Sequence, residues 1–136
     1  MEDFINKWIY FELLYYKDKF QTIDNLEFVH PNDRDFVKTH LTNTFYQCIG
    51  VEGEYLKVKS KNNLLRIKPR IIKGYLPTPK FIWGDKVIEK GKLDTEAVID
   101  DFFWHQNKEQ YLFYVRVNGK RKSKQLTDNE LLESLP

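Results

Sequence analysis

Cysteine is nearly missing from this sequence, with Cys48 the single example. An internal disulfide is therefore excluded, and a lone thiol fits a reducing compartment. Glycine and proline are sparse, six and five in 136 residues, and Gly50, Gly53 and Gly74 stand isolated, so no glycine-rich phosphate cradle is present. No apolar run approaches the ~20 residues that span a bilayer. Met1-Glu2-Asp3 lacks the basic stretch that opens a signal peptide. These absences read together as a cytoplasmic protein with no membrane segment. A dominant charge is also lacking, since 22 Lys and Arg stand against 20 Asp and Glu. Nucleic-acid binders are usually more lopsided. Histidine occurs only at 30, 40 and 105, and these spacings with Cys48 match no zinc template, so neither metal nor cofactor is expected.

Aromatic residues are plentiful, at 15% of the chain. They favour strands and also make good contact surfaces, so the enrichment points to a β-rich core, a binding face, or both. The hydrophobic share, 41%, is that of a globular chain rather than a disordered one. The length allows one domain or two very small ones.

In the N-terminal part, Phe4, Trp8, Phe11 and Tyr15 follow helical spacing after Asp3, a suitable cap, and predict a helix over residues 3–17. The segment is apolar nearly all round, and a strand pair turning at Lys17-Asp18 is the alternative. Pro31 with Asp33 and Asp35 predicts a turn into a short helix that places Phe36, Val37, His40 and Leu41 on one side. From Thr44 the period becomes two. Tyr46 and Cys48 alternate with Gln47 and Ile49, Glu52-Gly53 is a turn, and Leu56 and Val58 alternate with Lys57 and Lys59. Leu64 to Lys68 returns as a strand that Pro69 ends. Residues 69–79, with three prolines, read as a connector apolar enough to pack against a neighbour. The organisation expected is a helical and β-hairpin region over 1–79 and a small β module over 80–136, packed as one unit.

The C-terminal third carries the strongest local signals. Phe81 to Ile88 reads as a strand bent at Gly84-Asp85, and Thr95 to Trp104 as a second whose period breaks at Asp100-Asp101, which a solvated β-bulge would restore. Tyr111, Phe113, Val115 and Val117 share one face of a third strand. Asn118-Gly119 is a type I′ hairpin signal that sets Val117 opposite Lys120 and Arg116 opposite Arg121. Like charges in opposition cost energy, so this basic edge either splays into water or meets an acidic partner. Thr127 to Glu130 starts a final helical turn, and Leu131, Leu132 and Leu135 would close a barrel end.

The order Gly84-Asp85-x-Val87, Ala97-Val98-Ile99, Tyr111-x-Phe113-Tyr114-Val115, Asn118-Gly119 and Asp128-x-Glu130-Leu131 resembles a bacterial or phage small β-barrel of the Src-homology, Tudor and KOW type over residues 80–135. Glu96 stands where such barrels often carry glycine. The resemblance implies a mainly β (α+β) chain ending in a Src-homology-like barrel, and an adaptor or binding role. Similar barrels include immunity proteins for secreted toxins.

No catalytic residue is proposed from the sequence. Cys48 lies in an alternating apolar strand, where a buried structural thiol is the norm. Asp33 and Asp35 suit a helix start, and strand neighbours Asp100 and Asp101 point to opposite faces. The expected function is a non-enzymatic protein-binding module, in the manner of an immunity or inhibitor protein. Its contact set is Trp83, Trp104, His105 and Tyr114, rimmed by Lys120, Arg121, Lys122 and Lys124, and its partner is a protein with an acidic surface. The alternative is nucleic-acid binding, with phosphates held by those cations together with Lys57, Lys59, Lys61, Arg66, Lys68 and Arg70, and bases stacked on exposed aromatics.

Overall fold

Trp8, Ile9, Tyr10 and Phe11 decide the N-terminal architecture. The computed structural model describes residues 2–12, 15–17, 22–24, 26–39 and 45–134. The expectations placed on His40, Leu41, Thr44 and Leu135 lie outside these residues. A short 3-10 turn, Glu2–Phe4, leads into strand β1 (Trp8–Tyr10), and β2 (Tyr15–Lys17) pairs antiparallel with β3 (Thr22–Asp24). The helix expected over residues 3–17 is thus replaced by strands. The reason is burial on two sides. Ile9 enters the core while its neighbour Trp8 lies on the opposite face against Phe45, ring centroids 5.8 Å apart. Alternation lets a strand bury both rows, whereas a helix apolar all round would leave one side wet. The one α-helix among the described residues is α1 (Arg34–Thr39), six residues long. It follows a 3-10 turn begun by Pro31, and buries Val37. The chain is mainly β, with two larger antiparallel sheets and the two-stranded β2-β3 pair, and has no helical N-terminal portion among the described residues.

The chain folds as two compact units, Met1–Thr78 and Pro79–Pro136. In the first, β4 (Phe45–Glu52), β5 (Tyr55–Lys59), β6 (Leu64–Ile67) and β7 (Gly74–Leu76) join β1 in a five-stranded sheet ordered β6-β5-β4-β1-β7. Strand β7 comes from the stretch read as a connector. Its Gly74 faces Tyr10, whose ring lies over the glycine so closely that a β-carbon would stand 2.6 Å from the phenol oxygen. The core gathers Ile9, Phe11, Val29, Tyr46, Cys48 and the inward row Leu56, Val58, Leu65 and Ile67. The expected alternation of Leu56 and Val58 with Lys57 and Lys59 is present.

Arg66 of β6 ties the segment before α1 to the sheet. Its Nε and Nη2 donate to the two Asp33 carboxylate oxygens at 3.0 and 2.9 Å, and its Nη1 donates to Glu52 at 2.8 Å. The Arg66 backbone N–H adds a third bond to Asp33, at 2.9 Å. Burial opposes the charged form of Asp33, but the bonds from Arg66 outweigh it and hold the carboxyl below its ordinary value.

In the second unit, β8 (Lys86–Glu89), β9 (Glu96–His105), β10 (Gln110–Val117), β11 (Lys120–Arg121), β12 (Leu126–Thr127) and β13 (Leu131–Glu133) form a six-stranded sheet. The order is β11-β10-β9-β8-β13, with β12 also on β10. Residues 81–85 form a loop instead of the strand expected there, turning at Gly84 with φ 87°. A 3-10 turn, Asp128–Glu130, carries a capping box: the Thr127 hydroxyl and N–H both donate to Glu130 Oε1. The chain then returns, so that the last strand pairs with the first, β13 with β8. No described strand pair closes the ring between β12 and β13, so the hydrogen-bonded unit is a sheet and not the closed barrel expected.

Candidate binding faces of the C-terminal sheet

The β10–β11 hairpin has the register that Asn118-Gly119 dictates. Both residues take positive φ, 50° and 82°, with Val117 opposite Lys120 and Arg116 opposite Arg121. The bulge falls where the period broke, since Tyr114 pairs with Asp101 and Val115 with Ile99, and the register skips Asp100. The bulge is not solvated at Asp100, which is buried at 8% exposure. Its carboxylate accepts from Arg116 Nε at 2.8 Å and, through its other oxygen, from Arg121 Nε. The opposed arginines are therefore bridged by the chain's own buried acid, which satisfies their charge without a partner. This bond is the leading cause that raises the Arg121 pKa.

Strand alternation then splits the expected contact set. Trp104 pairs with Tyr111 and Phe102 with Phe113, so these rings share the core face of the sheet. Trp104 meets Tyr111 edge-on at 5.0 Å, and its indole N–H donates to Gln106 at 3.2 Å. Trp83, from the 81–85 loop, lies tilted against Phe102, ring centroids 4.5 Å apart, and donates its indole N–H to Asp101 at 3.0 Å. Both tryptophans are half-buried supports of the core. His105 and Tyr114 belong to the opposite face. There Phe103 lies 6.4 Å from the His105 ring and 6.2 Å from Tyr114. The Arg121 guanidinium covers Tyr114 at 5.0 Å, and Gln125 Nε2 donates to the Tyr114 hydroxyl at 2.7 Å. Phe103, one of the aromatics the sequence offers as a groove lining, is outside the expected contact set. The signal that finds it is parity, because it sits two residues before His105 and shares its face.

The basic strand splits in the same way. Arg121 joins the Tyr114 face, whereas Lys120 stands across from Val117 on the other. The chain leaves the sheet edge after Arg121, anchored by the Lys122 N–H to Val115 O at 2.9 Å, and returns at β12. Lys120 and Lys122 have no acidic partner among the described residues, while Lys124 stands 3.9 Å from Glu89.

Several cations of the alternative set have partners inside the first unit. Arg66 is held by Asp33 and Glu52, Lys57 lies 3.8 Å from Glu52, Lys68 lies 3.8 Å from Glu54, and Arg70 rests over Phe28. Burial pushes the Cys48 thiol up to about 11, the reverse of what a thiolate nucleophile requires. His30 accepts from the Asn32 N–H and packs on Tyr55. Among the described residues no three His, Cys, Asp or Glu side chains come together as a metal site, and no helix is long and apolar enough to cross a membrane.

A two-sheet β chain with half-exposed aromatic rings is the class these features define. More particularly, the chain belongs to a family of unknown function, DUF6960, whose model matches residues 15–132. No curated protein and no solved structure matches it.

Proposed function

We propose that this chain is a non-enzymatic, cytoplasmic protein-binding module that acts by occupying a partner's surface, as an inhibitor or immunity protein does. The observation that carries the reading is the face formed by Phe103, His105 and Tyr114 with Arg121 laid over the Tyr114 ring. Aromatic rings and arginine are the residue types that dominate binding energy at protein interfaces, and here they are half-exposed on a rigid two-strand support. The dispersal of paired cations through the first unit weighs against a continuous phosphate track.

The test is affinity capture on the full chain at two salt concentrations, with and without nuclease, compared with a Tyr114→Ala chain. A stoichiometric protein that survives nuclease and is lost with Tyr114→Ala supports the reading. Truncating an anchor of this kind costs more than ~2 kcal/mol of affinity. Recovery of nucleic acid alone, released by salt, would overturn it.

A further inference from the structure

The core face of the C-terminal sheet opens at one end into a groove of about 370 Å³. This is within the size range of sites that take a ligand or a few partner side chains. Its floor is Ala97, Val115, Val117 and Leu126, so it is apolar. Its rim holds Lys92, Lys122 and Lys124 against one carboxylate, Glu89. Glu89 is shared, 3.9 Å from Lys92 and 3.9 Å from Lys124, so three cations face one anion and the rim carries a formal charge of +2. Two other depressions of the same unit have the opposite balance. One sets Lys80 and Lys86 against Asp85, Glu96 and Glu133, and the other sets Arg116 against Asp94 and Glu96. An excess of positive charge is thus particular to the groove among these three.

We infer that this groove holds an acidic, extended segment of a partner protein, with an aliphatic side chain on the floor and carboxylates against Lys92, Lys122 and Lys124. The inference rests on the binding-module reading and names the class of partner. An apolar floor supplies affinity, and an unbalanced rim supplies selection by charge. Lysine ammonium groups are flexible point charges that suit carboxylates spaced along a chain, where the fixed fork of arginine would demand one geometry. Thr95 and Ser123 add hydroxyl groups at the same rim. A single-stranded nucleic acid fits less well, because base stacking needs an exposed aromatic and none of the lining residues is aromatic.

The test uses the full chain and a short fluorescein-labelled peptide alternating glutamate with leucine, read by anisotropy at rising salt. Binding is expected, weakening as salt screens the rim. Reversing Lys122→Glu with Lys124→Glu lowers affinity by more than about tenfold. Glu89→Gln, which keeps the side-chain shape and removes the only rim carboxylate, tightens binding roughly threefold. Because it predicts a gain, a folding defect cannot imitate it. No binding at millimolar peptide, affinity unchanged by the lysine reversals, or tighter binding of an oligonucleotide through the same lysines would each overturn the groove assignment. Should the affinity capture yield a protein that depends on Tyr114 but not on Lys122 and Lys124, the groove proposal falls and the module reading stands. Should it yield no protein, the module reading itself fails.

Discussion

Two side chains state the energetic logic at the scale of single residues. Tyr46 is buried, 1% exposed, and stacks on Phe11 at 4.9 Å, yet its hydroxyl has no hydrogen-bond partner among the described residues. A buried polar group left unpaired costs about 1–3 kcal/mol. Tyr46→Phe keeps the ring and removes the orphan oxygen, so it is expected to stabilise the chain by about 1 kcal/mol, read as a higher urea midpoint at unchanged slope. An unchanged or lower midpoint would mean that the hydroxyl is satisfied in solution. Asp100 is the opposite case, a buried acid with its charge fully used. Asp100→Asn leaves Arg116 and Arg121 opposed without the anion between them and is expected to cost about 2 kcal/mol, the scale of a hydrogen bond to a charged group. In an Arg116→Leu background the same change costs less, because one of the two cations is gone, and a double-mutant cycle reads the difference. Equal costs in both backgrounds would remove Asp100 from the role of bridge. The acid's position was legible, since the broken alternation at Asp100-Asp101 marks the bulge. Its burial was not, because nothing local says which bulge carboxylate turns towards the arginines.

Among the elements, what the sequence disclosed depended on how local the signal was. The 118–119 hairpin, the bulge, the Leu56 and Val58 row and the capped final turn are encoded within a few residues, and each lies where its signal placed it. The N-terminal segment misled because helical spacing and two-sided strand burial both accept a run such as Trp8 to Phe11, and only the partners β4 and β7 decide between them. Strand β7 was hidden for the same reason, three residues in a proline-bearing stretch whose pairing is remote in sequence. The candidate contact residues were treated as one surface, although they come from a loop, from strands β9, β10 and β11 and from the stretch after β11. Trp104 with His105, and Lys120 with Arg121, are strand neighbours and so point apart. Gly74 shows how tightly that remote pairing is fitted. Gly74→Ala forces a methyl into the Tyr10 ring and is expected to destabilise the first unit by about 1–3 kcal/mol, the overpacking range, with most of the loss recovered when Tyr10 is also made Ala. A Gly74→Ala chain as stable as the parent would show that the ring can swing away freely. The Arg66 network makes a pH prediction. In the folded chain Asp33 holds its proton less readily than when unfolded, and Glu52, bonded to Arg66, is lowered too. The stabilisation is therefore complete above the ordinary carboxylate value, about 3.9 for Asp, and is lost as pH falls through the lower folded value. Denaturant midpoints should drop on acidification below about pH 4, and drop less in Asp33→Asn. Parallel curves for the two chains would contradict the assignment.

Taken as a whole molecule, the chain carries a net charge of +2. Arg66, Lys57, Lys68 and Lys73 of the first unit each stand by a carboxylate, and Arg116 and Arg121 share Asp100. Lys120 and Lys122 have none among the described residues, and they lie where the second sheet ends, on and just beyond the edge strand β11. An edge strand offers unpaired backbone groups to any passing strand, and lysine is the residue that most often deters such pairing. The first sheet protects its β6 edge differently, with backbone: Val29 bridges to Ile67, the His30 N–H donates to Arg66 O, and the Lys68 N–H donates to Phe28 O. Among the described residues the β11 edge has only its charge and its brevity. Replacing Lys120 and Lys122 together with threonine, a good strand former without charge, should therefore leave the stability of the fold within about 0.5 kcal/mol, because exposed side chains without partners contribute little. The same chain should shift towards larger species with rising concentration in sedimentation velocity, relative to the parent. If the sedimentation profile stays that of the parent, the lysines do not guard the edge.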